Sequence, residues 1–162
     1  MTADRGLELA ELCRACGACC TGVMFGVVEL DDGELSVALR RRLHVVPETN
    51  AFPQPCAAHD GSKCTVYDER PRGCRNYSCA LYRRHAEEGG QIEQKLALVS
   101  RIRVLAELIR AEAPERSGSI FGPISDLLAD RGLWSQQPAR MLDIAELAMR
   151  LQRDLGWKPP PP

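Results

Sequence analysis

Residues Cys13 to Cys20 read CRACGACC, four cysteines in eight residues, with Cys19 and Cys20 adjacent. A single buried cysteine is an ordinary small core residue, but four at this density call for a shared task. The spacing C-x2-C-x2-C-C admits two shapes. As continuous helix, Cys13, Cys16 and Cys20 share a face at i, i+3 and i+7 while Cys19 looks elsewhere. As a loop turning at Gly17, Cys13, Cys16 and Cys19 form a ferredoxin-like C-x2-C-x2-C that wraps one centre. In both, Cys19 and Cys20 diverge, because neighbouring side chains are about 100° apart on a helix and alternate faces on a strand. The adjacent pair is therefore expected to serve different sites.

Outward from this run, Cys56, Cys64, Cys74 and Cys79 complete eight cysteines, and the 83 residues after Cys79 contain none. The opening MTADRGLELAELCRACG carries Asp4 and no apolar run of signal-peptide length, and no stretch of about 18 apolar residues occurs, so the chain reads as cytoplasmic and without a membrane span. In a reducing compartment thiols stay free, and a cysteine set of this kind points to metal rather than to disulfides. Four thiolates satisfy one tetrahedral zinc ion or one iron-sulfur cluster. Eight could serve two such sites, or one site with spare thiols. The C-x2-C-x2-C triple ranks an iron-sulfur cluster (4Fe-4S) ahead of Zn(2+), since zinc sites more often use separate C-x2-C pairs.

Lysine and arginine total 21 against 22 acidic residues, a balance that gives no global case for nucleic-acid or anionic-membrane binding. Locally, Arg14, Arg70, Arg72, Arg75, Arg83 and Arg84 lie beside cysteines. Four thiolates leave a zinc ion or an oxidised four-iron cluster at a formal charge of about −2, so neutralisation is the first reading of these arginines. An anion-holding patch formed by Arg70, Arg72 and Arg75 is the second. Arg40, Arg41 and Arg42 read as an exposed helix face. His44, His59 and His85 are spare ligands, with His59, between Cys56 and Cys64, foremost. Tyr67 and Tyr77 are expected to pack over the site. No Ser/His/Asp set, paired-carboxylate signature or phosphate loop appears, so hydrolytic and kinase chemistries lack support. Gly89-Gly90 reads as a linker before a helix rather than part of a methyl-donor motif.

Length and composition (162 residues, 44% hydrophobic) suit one domain, residues 1–162. The fold class read from the pattern is α-rich with a minor α+β component. An irregular, metal-organised region 13–79 packs against a C-terminal three-helix region, 91–156, ahead of a disordered tail, 157–162. A short helix over Leu7 to Leu12, a strand over Val23 to Leu30, and a helix over Glu34 to Leu43 capped by Asp32, with Leu35, Ala38, Leu39 and Arg42 at helical spacing, are expected. His44 to Lys63 reads as loop with at most a short hairpin. Pro71 suits the first turn of a helix presenting Cys74 and Arg75. Beyond the cysteines, Ile92, Leu96, Val99, Ile102, Leu105 and Ile109 stripe a helix over Gln91 to Ala113 that Pro114 ends. A second helix spans Ile124 to Asp130. A third carries Met141, Ile144, Ala145, Ala148, Leu151 and Leu155 on its inner face.

Three segments, CRACGACC, the lone Cys56, and KCTVYDERPRGCRNYSC from Lys63 to Cys79 with Tyr67, Arg70, Pro71 and Arg75 at motif positions, resemble the YkgJ-type cysteine-cluster family, the CxxCxxCC zinc- or iron-chelating domain. The resemblance covers about residues 13 to 79. It implies a metal or iron-sulfur site built from Cys13, Cys16, Cys19, Cys20, Cys56, Cys64, Cys74 and Cys79, with Tyr67, Arg70 and Arg75 facing the cofactor. A similar cysteine pattern occurs in flagellin lysine N-methylases, but the chain lacks room for a methylase's flanking regions and shows no methyl-donor motif, so methyl transfer is not carried over. The expectation is a metal-binding protein acting in redox chemistry or protein side-chain modification, on an unspecified protein partner or substrate. The alternative is a non-catalytic zinc-stabilised module for binding protein, with nucleic acid ranked behind. Catalytic status is left open by the sequence.

Overall fold

The computed structural model describes residues 3–112 and 138–158. The first helix, α1 (Ala3–Cys16), is longer than the Leu7 to Leu12 segment expected. It buries Leu9 and Leu12 and leaves Leu7 in solvent. Asp4 in its first turn and Arg14 in its last suit the helix dipole. The helix stops at Gly17, whose φ of +61° is left-handed.

Strand β1 (Val27–Glu29) pairs antiparallel with β2 (Ala51–Pro53), Val28 opposite Phe52. Only the end of the expected Val23 to Leu30 strand is extended into the sheet, because Val23 and Met24 are drawn into the core. The stretch expected as loop thus supplies β2, whose partner lies well upstream. Between the strands, α2 (Leu35–Arg40) is shorter than the Glu34 to Leu43 helix expected and buries Ala38, while Leu39 faces solvent. Asp32 does not cap it. Glu34 occupies the cap position, its carboxylate accepting from the Asp31 N–H at 3.1 Å and from the Arg72 N–H at 2.8 Å. The second bond satisfies a free donor at the start of α3 (Arg72–Asn76), which Pro71 precedes and which carries Cys74 and Arg75 as anticipated.

Helix α4 (Ala80–Glu88) starts at Cys79 and ends at Gly89. It is followed by α5 (Ile92–Glu112), whose Val99, Ile102, Leu105 and Ile109 are buried as the stripe predicted. Helix α6 (Pro138–Arg150) runs into a π turn over Leu151–Leu155. Its inner face differs from the expectation: Leu147 is 0% exposed, whereas Met141 is 49% exposed and Ala145 is also outside. Rotating the helix this way buries a leucine in place of an alanine, which gains apolar area. The second expected helix, Ile124 to Asp130, and residues 159–162 lie outside the described residues. The tail expected over 157–162 is corrected at its start, where Trp157 is buried in the large cluster and its N–H donates to Leu151 O at 2.9 Å.

Two hydrophobic clusters result. The larger joins α1, α4, α5, α6 and the π turn, and the smaller gathers Leu30, Ala38, Leu43, Phe52 and Ala58 around the sheet and α2. The described chain is mostly helical with this one small sheet. Among the described residues no helix is long and apolar enough to cross a membrane. One buried polar contact ties the larger cluster together. The fully buried His85 of α4 has Nε2 3.0 Å from Glu8 of α1, and Nδ1 2.6 Å from the Lys95 ammonium of α5. His85 Nδ1 also lies 3.2 Å from Gly89 O, a carbonyl that accepts from the Lys95 ammonium as well, so the ring joins α1, α4 and α5 through one polar cluster.

Candidate metal centre

All eight cysteines line one cavity of about 110 Å³ lying between the two clusters, and none is in a disulfide. They reach it from separate segments. Cys13 and Cys16 stand one turn apart on the last turn of α1, on one face. Gly17 then reverses the chain, and the bonds Thr21 N–H to Gly17 O (2.9 Å) and Met24 N–H to Ala18 O (3.2 Å) fold residues 17–24 back on the helix end. This returns Cys19 to the neighbourhood of Cys16 and Cys13. Both sequence-level shapes are partly present: helix through Cys16, loop after it. The corner favours glycine, because its φ is left-handed and a Cβ there would sit 2.9 Å from His59 Nε2, which would have to move. Cys79 arrives as the N-cap of α4, its Sγ accepting from Tyr82 N–H at 3.4 Å, and lies beside Cys16 and Cys13.

Cys20 turns the other way. Its carbonyl accepts from Cys56 N–H at 2.8 Å, and its thiol hydrogen-bonds Cys64. Cys64 pairs with His59 in an isolated antiparallel bridge. Cys74, presented by α3, neighbours Cys56 and Cys64.

Burial sets the thiols' acidity. It pushes Cys16 up to about 12 and Cys74 up to about 11, and raises Cys19, Cys56 and Cys79, with repulsion from the other cysteines adding to each. Cys64 alone goes down, to about 6, chiefly through the hydrogen bond from the Cys20 thiol, with Arg70 and Arg14 assisting. Cys20, which donates that bond, is raised. Seven of eight sulfurs whose charged forms are penalised or paired in this way suit a cation that displaces their protons, since a coordinating thiol ionises outright.

The surrounding residues supply positive charge unevenly. The Arg70 guanidinium lies 3.6 Å from the centre of the Tyr67 ring and that of Arg14 4.4 Å, so the two arginines share one ring. Arg70 Nε also donates to Tyr67 O at 2.7 Å. These three residues line the cavity. Burial raises Tyr67 to about 12, with Cys13 adding to the effect. Tyr77 stacks edge-on against Phe25 at 4.7 Å, and both line the cavity. Arg72 and Arg75 instead face Asp31 (3.1 Å) and Glu34 (4.0 Å), Arg83 donates to Ser78 O, and Arg84 donates to Asp154 O at 3.0 Å. None of His44, His59 and His85 lines the cavity. Phe25, Gln54 and Tyr82 do, and no spacing rule announced them. The buried Gln54 Oε1 has no hydrogen-bond partner among the described residues.

The donor chemistry fits a thiophilic metal group, zinc or iron. Among the described residues no three His, Cys, Asp or Glu already stand so as to hold a bare metal ion, so a single ion would have to draw its thiols inward. A family model described as "CxxCxxCC: Putative zinc- or iron-chelating domain" matches residues 12–97, more than half of the chain. The chain belongs to the CxxCxxCC family. No curated protein and no solved structure matches it. The match extends past the Cys79 limit read from the cysteine motifs, taking in α4 and the start of α5. Those elements carry the helix that Cys79 caps and the His85 contact with Glu8 and Lys95. Membership supports metal binding by the cysteine cluster.

Proposed function

We propose that the chain is a redox metalloprotein whose cysteine-lined cavity holds iron-sulfur. The observation that carries this reading is the cavity itself, about 110 Å³ lined by eight thiols. A zinc ion bound by four sulfurs at about 2.3 Å brings them to roughly 3.8 Å of one another and leaves no space between them. A cage of iron and sulfide fills such a space. The C-x2-C-x2-C run at the end of α1 suits the same group. Arg70 and Arg14, stacked on Tyr67 beside Cys64, offset the negative charge of a thiolate-bound centre.

A cleft of about 340 Å³ borders the cavity, sharing Leu43, Val66, Arg70 and Pro71 with it and adding Glu34, Arg41, Asp68, Glu69 and Arg75. Its mixed charge suits a polar segment of a protein partner or substrate, which would lie one residue layer from the metal. Zinc is the second reading, named beside iron in the family's description. Iron, zinc and acid-labile sulfide analysis of protein purified without oxygen, with a visible spectrum, tests the choice. Iron and sulfide together with a band near about 400 nm are expected. Zinc without iron or sulfide would replace this reading with the zinc module.

A further inference from the structure

We infer that the eight cysteines form two separate four-thiolate centres, Cys13, Cys16, Cys19 and Cys79 in one, and Cys20, Cys56, Cys64 and Cys74 in the other, set back to back across the Cys19–Cys20 peptide. The inference rests on the reading that the cavity holds metal, and adds which sulfurs act together.

The backbone imposes the division. Cys13 and Cys16 share a helix face, and the left-handed turn at Gly17 brings Cys19 back to them, which leaves Cys20 facing away. Cys20 is pinned on its own side by the 2.8 Å bond from Cys56 N–H to its carbonyl. Packing separates the same groups. Cys16, Cys19 and Cys79 lie against the large helical cluster, whereas Cys56 and Cys74 lie against the small cluster around the sheet. Positive surroundings reach both groups, with Arg14 and the Tyr67 ring bridging them. The first has the N-terminus of α4 at Cys79, with Arg103 acting on Cys16 and Arg83 on Cys79. The second has Arg70, which acts on both Cys64 and Cys74. Two dianionic centres so close together need compensation on both sides, and positive groups stand on both sides. The first centre fastens α1 to α4, and the second fastens the Cys56 to Cys64 segment to α3.

Two measurements on the full chain test this. In the first, metal and sulfide are counted in protein purified without oxygen carrying Cys16→Ser, Cys64→Ser, the same-group doubles Cys16→Ser/Cys79→Ser and Cys64→Ser/Cys74→Ser, and the cross-group double Cys16→Ser/Cys64→Ser. Each single and each same-group double is expected to keep about half of the parent's metal, and the cross-group double almost none. A cross-group double that keeps what its singles keep, or a same-group double that loses everything while its singles do not, overturns the division. In the second, which needs no variant, the reduced metal-free parent is titrated with cobalt(II), read by its thiolate charge-transfer absorption. A plateau at two ions per chain is expected for two tetrathiolate sites. A plateau at one overturns the division but leaves metal binding intact, whereas no uptake, with no metal in the purified parent, removes both readings.

Discussion

Gly17 decides more than any cysteine which thiols meet. Its φ of +61° ends α1, and its missing Cβ lets His59 Nε2 approach to where that atom would be. Gly17→Ala is expected to cost about 1–2 kcal/mol for the left-handed backbone alone, or roughly 2–8 °C in Tm at this size, and more from the His59 clash. Thermal unfolding of Gly17→Ala beside Gly17→Ala/His59→Ala checks the split: the double should recover the clash but not the backbone strain. An unchanged Tm in the single variant would mean that the turn is not required. Arg70 is the second residue on which much rests, because its guanidinium stacks on Tyr67 at 3.6 Å and neighbours two cysteines. Arg70→Gln removes that charge and is expected to weaken metal retention at least tenfold, the usual scale for a group supporting metal ligands. Arg72→Gln, paired with Asp31 on the surface, should not. A chelator competition series measures both, and equal losses would refute the distinction.

Among the elements, α6 tests the packing. The periodicity of its sequence is compatible with Met141 and Ala145 inward, yet the helix turns Leu147 into the core at 0% exposure and leaves Met141 at 49%. Leu147→Ala is expected to cost about 2–5 kcal/mol as a core truncation, and Met141→Ala well under 1 kcal/mol. Denaturant melts should show this order, and the reverse order would restore the face read from the sequence. A similar ambiguity affected the Val23 to Leu30 stretch, whose apolar residues are divided between core and sheet. Short apolar runs carry no period long enough to tell these destinations apart. The α5 stripe, repeating over several turns, was readable without error of phase. The link from Glu34 to the start of α3 was not readable, since 38 residues separate the partners.

At the scale of the whole molecule, the site lies between a large helical cluster and a small sheet-centred one. The large cluster can hold α1, α5 and α6 by apolar burial. The segments carrying Cys20, Cys56, Cys64 and Cys74 have far less of it and lean on the metal. Chelation under reducing conditions is therefore expected to lower helicity only in part while exposing the amides of residues 17–24 and 54–79 to rapid exchange. Circular dichroism with hydrogen exchange reads this, and uniform protection with an unchanged Tm would contradict it.

Acidity gives a further whole-molecule test. In the metal-free fold, burial holds Cys16 and Cys74 neutral up to about 12 and 11, above the ordinary thiol value of 9.0. Their contribution is complete below 9.0. It falls from there to about 12, because the unfolded chain then binds fewer protons than the folded one. Cys64, lowered to about 6, works in the opposite sense: its contribution is present above 9.0 and lost as pH falls toward 6. Metal-free protein should therefore lose stability as pH rises past 9, whereas loaded protein should lose metal on acidification as protons retake the thiolates. Urea melts and metal release followed across pH check both slopes.

By itself the sequence determined the chemistry: eight thiols in a pattern that marks the family, an adjacent pair whose side chains must diverge, and an arginine-rich third segment. These are properties of residue type and short-range geometry, which chain neighbours impose wherever the segment ends up. Only the tertiary structure decided which arginines reach the thiols, that the histidines stay out, and that Cys79 sits with Cys13 and Cys16 while Cys74 sits with Cys56 and Cys64. Those choices depend on one left-handed glycine turn and on how two apolar clusters pack on either side of a cavity, which no local spacing encodes.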